Sequence, residues 1–433
     1  MTPARPLKVA LLGCGVVGSQ VARLLLDSGE EFQARVGRRL TLVGIAVRDL
    51  TKPRPGIDPE LFTDDAAELA GRKGIDLVIE VMGGVEPARS LILSAMAAGA
   101  SVITANKQLL AQDGPTLYEA AAEAGVDLYF EAAVAGAIPI IRPLRESLVG
   151  DEVTAVKGIV NGTTNFILDK MHSEGSSFDE VLAEAQRLGY AEPDPTADVE
   201  GLDAAAKAAI LASLAFHSRV RLEDVDCEGI TRVTPADVAT AQQLGYVIKL
   251  LARCALAPDG SISVGVHPTM VPATHPLANV SGAFNAVYIE SRAAGQLMFM
   301  GPGAGGSPTA SAVLGDVITA ARNRVRGVSG PGESSYSARP ITPRAQVPSR
   351  FYLSFSVDDE PGVLAKIAAA FARYAVSIQA VRQESEPDRP DGQGAKLAIL
   401  THAARVGDVH AALEDLTAMP EVIGEISLMR VEG

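Results

Sequence analysis

The chain has 433 residues, of which 47% are hydrophobic and only 4% aromatic, with no tryptophan. A chain of this length is sufficient for about three domains of ~150 residues each. Its cores must be mainly aliphatic, which is typical of proteins with parallel strands rich in Val and Ile. The net charge of −14 argues against nucleic acid or an anionic membrane as a partner, because both attract basic patches.

The cysteine pattern bounds the compartment and the kind of site. Cys14, Cys227 and Cys254 lie far apart, and none belongs to a CxxC pair. This pattern predicts neither a zinc site nor a disulfide framework, and it fits a reducing compartment such as the cytoplasm. No run reaches the ~18 apolar residues of a membrane span. A signal peptide is one interpretation of residues 7–26, but their glycine spacing favours another.

Strands and helices alternate along the first part of the chain, which is typical of a parallel, doubly wound sheet. The predicted helices lie at 16–28, 88–99 and 117–125. The predicted strands lie at 7–13, 40–47, 74–83, 100–107 and 126–136. We therefore expect a Rossmann-like α/β domain at 1–140.

The pattern changes after residue 140. Three strands at 153–162, 261–271 and 285–293 alternate with long alanine-rich helices, which favours an α+β domain at 141–300. A helix within 301–326 is expected to pack back on the first domain. The segment 327–350 is rich in Gly, Pro and Ser and is predicted to be a linker. The order β-α-β-β-α-β over 351–433 predicts a small ferredoxin-like module.

A glycine-rich turn, GCGVVG, follows the first predicted strand and opens a helix. In this context GxGxxG is typical of a dinucleotide site: the first glycine allows a tight turn, the second lets the backbone approach pyrophosphate, and the third lets helix and strand pack closely. The helix N-terminus adds free N–H groups. The expected cofactor-binding residues are Gly13, Gly15, Val16, Val17 and Gly18. A turn without a ligand is the alternative.

Two strand ends add candidates to this site. Arg48 follows the second strand, where NAD-binding proteins place an acid, and an arginine there suits the 2′-phosphate of NADP. NADP is therefore favoured and NAD stays open, with a solvated Arg48 as the alternative. TANK ends the fourth predicted strand, so Thr104 and Lys107 are expected to face the cofactor cleft, since ligands bind beyond the carboxyl ends of parallel strands. A merely solvated lysine is the alternative.

An acidic loop, GYAEPDPTADVEGLDAAAK at 189–207, precedes an alanine-rich helix. Asp203 and Lys207 are four residues apart and therefore share one face of that helix. Their helix neighbours are apolar, which predicts a buried or cleft-facing lysine with Asp203 as its partner. An acidic surface loop with one ion pair is the alternative.

The region 183–207, AEAQRLGYAEPDPTADVEGLDAAAK, closely resembles the signature of homoserine dehydrogenases. GIVNGTTNFIL, TANK and EAAVAGAIPII are similar to further segments of that family, and the resemblance covers roughly 7–325. It implies reversible, NAD(P)-dependent interconversion of L-homoserine and L-aspartate 4-semialdehyde, a step toward threonine, methionine and isoleucine. It also implies a homodimer or homotetramer that uses 141–300 for substrate binding and dimerisation.

The resemblance also assigns roles to single residues. It implies that Lys207 is the acid–base group, that Lys107 is a second lysine in the cleft, and that Glu192 and Asp203 hold the substrate. The residues that it places beside the nicotinamide are Gly189 and Gly303. It further implies a sodium-like monovalent cation held largely by main-chain oxygens of Glu131, Val134, Gly136 and Ile138. Side-chain chemistry alone does not indicate that cation site.

The segment VDDEPGVLAKIAAAFARYAVSIQAVRQE at 357–384 resembles an ACT domain. The resemblance implies an amino-acid effector, L-threonine, at the strand–helix turn that contains Asp359 and Gly362. An ACT domain kept only for dimerisation is the alternative.

Two other functions compete with the whole interpretation. An aspartate-semialdehyde dehydrogenase needs a nucleophilic cysteine, for which no motif is present, and a silent nucleotide sensor does not need the Asp203–Lys207 pair.

Overall fold

The computed structural model describes residues 5–386 and 394–433, and these form two compact units. The first unit contains the described residues up to Gly162, together with Asp203–Val225 and Phe284–Arg339. The second contains Thr163–Leu202, Asp226–Ala283 and the described part of Pro340–Gly433. Among the described residues, no helix is both long enough and apolar enough to cross a membrane.

The described strands, in chain order, are β1 (Leu7–Leu12), β2 (Leu40–Ala46), β3 (Phe62–Thr63), β4 (Leu77–Glu80), β5 (Ser101–Thr104), β6 (Leu128–Tyr129), β7 (Val153–Ile159), β8 (Asp226–Cys227), β9 (Tyr246–Leu256), β10 (Ile262–Pro272), β11 (Phe284–Ser291), β12 (Gly295–Pro302), β13 (Pro348–Asp358), β14 (Ile378–Ser385), β15 (Gly394–Thr401), β16 (Ala404–Arg405) and β17 (Val422–Val431).

The described α-helices, in chain order, are α1 (Val16–Asp27), α2 (Gly29–Val36), α3 (Ala66–Gly71), α4 (Ala88–Ala97), α5 (Lys107–Ala124), α6 (Gly162–Glu174), α7 (Phe178–Leu188), α8 (Thr196–Val199), α9 (Leu202–Phe216), α10 (Pro235–Gln243), α11 (Gly306–Arg326), α12 (Val363–Arg373) and α13 (Val406–Thr417).

The first unit contains a parallel sheet with the strand order β3-β2-β1-β4-β5-β6. The predicted doubly wound sheet is therefore confirmed. Every residue of β4 and β5 is buried, as expected for strands covered by helices on both faces. Helix α11 packs against α1. Its residues Val313 and Val317 belong to the same apolar core as residues of α1 and the parallel sheet. A separate antiparallel group in this unit has the order β12-β11-β7.

The structure differs from the predicted elements at two places near the sheet's carboxyl edge. The strand predicted at 100–107 ends at Thr104, and Asn106 caps α5, whose first residue is Lys107. Helix α5 has a kink at Asp113, because Pro115 cannot continue a regular helix there. The strand predicted at 126–136 is reduced to β6 and is followed by a 3₁₀ turn at Glu131–Ala133.

In the second unit, β10 pairs antiparallel with β9 and parallel with β17. Strands β17, β13, β15 and β14 then follow in that order as an antiparallel sheet, and α12 and α13 share one apolar core with it. This is the ferredoxin-like βαββαβ arrangement, so the predicted C-terminal module is confirmed. Residues 387–393 of the predicted module lie outside the described residues.

Candidate active site

The glycines between β1 and α1 have different structural reasons to be glycine. Gly13 has a φ of +100°, and a Cβ on Gly18 would lie 2.1 Å from the Gly13 carbonyl oxygen, so the fold itself requires both. Gly15 has an ordinary φ of −81°, and a Cβ there would meet no atom within 4 Å. The fold does not require this glycine. The open space above it suits a ligand that approaches the backbone closely.

The N-terminus of α1 offers free donors beside that space. No side chain caps this helix, and Val16, in its first turn, is 77% exposed. The first N–H groups of a helix have no intrahelical acceptor, and together they carry a partial positive charge. The predicted dinucleotide residues, Val17 included, therefore lie together in one turn that can accept an anionic pyrophosphate.

The loop after β2 presents two arginines. Arg48 is exposed, and the neighbouring Asp49 carboxylate accepts hydrogen bonds from the N–H and the hydroxyl of Thr51, at 2.9 and 2.6 Å. Sequence reasoning missed Arg54. Its guanidinium donates to the Asp49 carbonyl at 3.0 Å and lies over the ring of Phe62, 5.2 Å from the centroid.

A buried carboxylate organises the ends of β4 and β5. Glu80 accepts hydrogen bonds from the N–H groups of Met82 and Gly83, at 2.7 and 3.1 Å, and from the Thr104 hydroxyl at 2.5 Å. Thr104 is fully buried, and its hydroxyl braces this loop through the bond to Glu80. Asn106 extends the brace by donating to the Gly84 carbonyl at 2.6 Å.

The predicted pair on α9 is present. The Lys207 ammonium lies 2.6 Å from a carboxylate oxygen of Asp203, and both side chains are at most 10% exposed. Lys207 also donates to the Val160 carbonyl at 2.7 Å, and Asn161 donates to the same oxygen of Asp203 at 2.9 Å. Each group in this buried cluster is therefore paired, which is what makes a buried lysine tolerable.

Lys107 joins the cluster from a different helix. Its ammonium forms an ion pair with the other carboxylate oxygen of Asp203, while its side chain remains 45% exposed. Burial raises the pKa of the Asp203 carboxyl, but the charges of Lys207 and Lys107 outweigh burial and hold that pKa well below its usual value. Asp203 therefore stays ionised between two ammonium groups, one buried and one half-exposed.

The loop that follows α7 belongs to the second unit. Gly189 ends α7 in the left-handed region with a φ of 78°. The Tyr190 carbonyl accepts a hydrogen bond from the Thr163 hydroxyl at 2.7 Å, and the Tyr190 ring packs 5.0 Å from Phe166. These contacts fix the start of the acidic loop. Glu192, two residues farther on, is exposed and available to a ligand.

The residues of the predicted cation site form one buried turn. Glu131, Val134, Gly136 and Ile138 are all buried. Gly136 adopts a φ of 57°, and a Cβ on it would lie 2.4 Å from the carbonyl oxygen of Gly303. This contact brings Gly303, predicted to lie beside the nicotinamide, to the same turn.

Two buried carboxylates support this turn. Glu131 accepts hydrogen bonds from the N–H groups of Ile140 and Ile141, at 2.6 and 2.7 Å, and burial raises its pKa. Burial and the nearby Glu131 raise the pKa of the Asp316 carboxyl to about 7, although Arg142 donates to it at 2.6 Å. Within the described residues, no group of three or more His, Cys, Asp or Glu side chains could hold a metal ion.

The predicted effector residues lie between β13 and α12. Gly362 has a φ of 97° and immediately precedes α12. Asp359 is exposed, and its carboxylate accepts a hydrogen bond from Gln383 on β14 at 2.8 Å.

Comparisons with known proteins agree with this architecture. Family models match the NAD-binding domain of homoserine dehydrogenase at 13–131, homoserine dehydrogenase at 139–318 and the ACT domain at 351–421. The homoserine dehydrogenase of Corynebacterium glutamicum is 52% identical over 99% of this chain and 96% of its own length.

Solved structures give the same result. A homoserine dehydrogenase from Thiobacillus denitrificans is 40% identical with a TM-score of 0.93, over 99% of this chain and 98% of that one. A hyperthermophilic archaeal homoserine dehydrogenase in complex with NADPH is 28% identical with a TM-score of 0.64, over 76% of this chain and 100% of that one. This chain belongs to the homoserine dehydrogenase family and carries an NAD-binding domain and a C-terminal ACT domain.

Proposed function

We propose that this enzyme interconverts L-homoserine and L-aspartate 4-semialdehyde with NADP as its preferred cofactor, and that Lys207 is its acid–base group. The observation that supports this most strongly is the buried Asp203–Lys207 pair, 2.6 Å apart at the start of α9. The second ammonium group, on Lys107, pairs with the same carboxylate. This cluster therefore offers the substrate a carboxylate, that of Asp203, and a proton donor, the ammonium group of Lys207.

The chemistry follows from the charge that the reaction creates. The bound nicotinamide supplies the hydride chemistry. Reduction of the aldehyde leaves an alkoxide, which needs a proton and a nearby positive charge. Lys207 supplies both, and Asp203 keeps its ammonium oriented and ionised. In this proposal Asp203 and Glu192 bind the substrate, Glu192 through the substrate ammonium, and the half-exposed Lys107 adjusts its contact with Asp203 when substrate enters.

The cofactor preference rests on the loop after β2. Arg48 is exposed, and Arg54 is fixed nearby by its contacts with Asp49 and Phe62. Two guanidinium groups favour a 2′-phosphate over a free 2′-hydroxyl. The archaeal relative that is described in complex with NADPH supports the same choice. The pyrophosphate would lie over Gly15 at the start of α1, with the nicotinamide beside Gly189 and Gly303.

A sodium-like monovalent cation would be held by main-chain oxygens of Glu131, Val134, Gly136 and Ile138. These residues fit such a cation because their turn is buried and its backbone is held close to Gly303. Backbone carbonyl oxygens readily coordinate hard cations. The turn also contacts Gly303, so the cation would stabilise the backbone beside the nicotinamide.

We propose that the ACT domain, 351–433, binds L-threonine at the turn containing Asp359 and Gly362 and lowers activity in a homodimer or homotetramer. The proposed arrangement is a dinucleotide domain at 1–140, a substrate and dimerisation domain at 141–300 and a connection at 327–350. The archaeal relative is matched over 100% of its length by 76% of this chain, so part of this chain has no counterpart in that relative.

Steady-state assays test this function. The full chain is supplied with L-homoserine and either NADP or NAD, and reduced cofactor is followed by absorbance. We expect turnover with both cofactors and a higher kcat/KM with NADP. Equal kcat/KM values would remove the proposed cofactor preference, and an absence of turnover with either cofactor would remove the proposed reaction.

A further inference from the structure

The segment 333–339 was predicted to be part of a linker, but in the first unit it lies along the C-terminal end of α9. We call it the strap. The carbonyl of His217, the residue after α9, accepts hydrogen bonds from the N–H groups of Tyr336 and Ser337 at 3.1 and 2.9 Å. The Ser337 hydroxyl donates to the same carbonyl at 2.8 Å. The His217 and Tyr336 rings stack with their centroids 4.6 Å apart.

An ion pair reinforces these contacts. Arg219 binds Glu333 through two parallel hydrogen bonds, each 2.9 Å long, and the Glu333 side chain is only 18% exposed. Arg219 also donates to Glu119 on α5 at 3.0 Å, but the Glu119 side chain is 62% exposed. Exposed ion pairs contribute little, whereas bidentate and partly buried pairs are stronger. The bidentate pair between Arg219 and the strap is therefore the stronger of the two, with the Arg219 side chain 47% exposed.

The strap matters because α5 and α9 leave a space beside it. A cavity of about 790 Å³ is lined by Leu110 and Tyr118 of α5, Ile210 and Leu214 of α9, and Glu333 of the strap, among others. Close packing therefore does not hold the two helices together along this stretch. Their first turns are joined by the Lys107–Asp203 ion pair. Beyond the C-terminal end of α9, Arg219 binds Glu119 of α5 through an exposed ion pair and Glu333 of the strap through a bidentate one.

Helix α9 connects the strap with the proposed catalytic groups. It spans 15 residues, which corresponds to a rod of about 22 Å at 1.5 Å per residue. A shift at its C-terminal end is carried to Asp203 and Lys207 at the other end. We propose that the strap is a positioning element. Glu333, through Arg219, fixes the position of α9 and so keeps Asp203 and Lys207 at the correct distance from Lys107. This inference rests on the catalytic roles proposed above.

The test uses the full chain with Glu333→Gln, which removes the charge and keeps the shape. A displacement of about 1 Å in an active site costs up to about 10²-fold in rate. We expect kcat to fall by about tenfold, with little change in KM for NADP because the dinucleotide loop is untouched. The matched control is Arg221→Gln, which breaks an exposed ion pair with Glu223 in the wall of the same cavity and should leave kcat unchanged.

A rescue variant separates positioning from general destabilisation. The exchange Arg219→Glu with Glu333→Arg restores an ion pair between these positions and should recover most of the lost kcat. If Glu333→Gln fails to fold, Ser337→Ala replaces it, with an expected fall in kcat of about threefold from the loss of one hydrogen bond. A folded Glu333→Gln or Ser337→Ala enzyme with the parent kcat would overturn the inference.

One further variant separates this inference from the proposed function. If Lys207→Ala retains the parent kcat, the proposed role of α9 is wrong, and the inference falls with it. If Lys207→Ala is inactive while the folded strap variants keep the parent kcat, the strap inference alone is wrong.

Discussion

Lys107 and Asp203 form an ion pair between the first turns of α5 and α9. Asp203 therefore accepts two ammonium groups, since Lys207 binds its other carboxylate oxygen. The two helices that carry the proposed catalytic groups meet at this single carboxylate. Its charge consequently governs both the stability of the cluster and the state of its proton donor, and the first prediction concerns that charge.

Replacing Asp203 by Asn should destabilise the fold in a pH-dependent way. The folded-state pKa of Asp203 lies below the ordinary 3.8 because Lys207 and Lys107 outweigh burial. Its stabilisation is therefore fully present above about pH 4 and is lost as the pH falls through the lower folded pKa. Removing one partner of a buried pair costs about 3–5 kcal/mol. We expect the free energy of unfolding of Asp203→Asn, measured by denaturant, to lie below that of the parent by this amount at pH 7 and pH 5. At pH 3 the difference should be smaller. A difference that is equal at pH 7 and pH 3 would contradict the account.

Two glycine substitutions should separate the fold from the cofactor. Gly15→Ala should fold normally, since its Cβ meets no protein atom within 4 Å, and should weaken NADPH binding by about tenfold or more, or about 1.4 kcal/mol. Gly18→Ala should lower the unfolding midpoint, because its Cβ would lie 2.1 Å from the Gly13 carbonyl oxygen. Fluorescence titration and thermal unfolding measure the two effects. Unimpaired NADPH binding by Gly15→Ala would argue against a pyrophosphate there.

Arg48→Ala should weaken NADP binding by about tenfold. This is the low end of the contribution that a hydrogen bond to a charged group makes, and we expect the low end because the Arg48 side chain is exposed. NAD binding should change little, since NAD has no 2′-phosphate. Arg72→Ala provides a control, because Arg72 is an exposed arginine of the same unit that pairs with Glu68. Steady-state KM values for both cofactors decide the matter. Equal losses for NADP and NAD would make Arg48 structural.

L-Threonine should inhibit the full chain, and deletion from about residue 345 onward should remove inhibition and leave turnover. Coupling between two sites is typically worth 1–3 kcal/mol. Activity titrations of both chains measure it, and Asp359→Ala in the full chain tests the proposed turn directly. Equal inhibition of the two chains would place threonine in the catalytic site, where it would mimic homoserine. No response of the full chain to any aspartate-family amino acid would remove the effector proposal.

The parts of the site that sequence could predict are local. Asp203 and Lys207 lie within one turn of an alanine-rich helix, so their spacing alone indicates an ion pair. The turn at 13–18 lies between adjacent elements, so its glycine spacing reports its geometry. In both cases the interacting groups are neighbours along the chain, and the regular backbone geometry determines how they meet.

The missed parts depend on long-range contacts. Asn106 accepts a hydrogen bond from the Leu109 N–H at 3.1 Å and caps α5. An asparagine before a helix is an N-cap signal that sequence can report, but Pro115 argues against a helix across this region, so the start of α5 was not predicted. The Lys107–Asp203 pair and the Glu333–Arg219 pair join residues remote in sequence, so no local pattern reports them. A composition rich in Gly, Pro and Ser predicts the lack of regular structure over the strap, but not the side chains that bind it.

The most direct test of the central claim is the turnover of Lys207→Ala with homoserine and NADP, measured together with its affinity for NADPH. The account predicts a fall in kcat of about 10²–10⁴-fold, the usual contribution of an acid–base group, with NADPH affinity close to that of the parent. A kcat within about threefold of the parent, well below that contribution, would show that Lys207 is not the acid–base group.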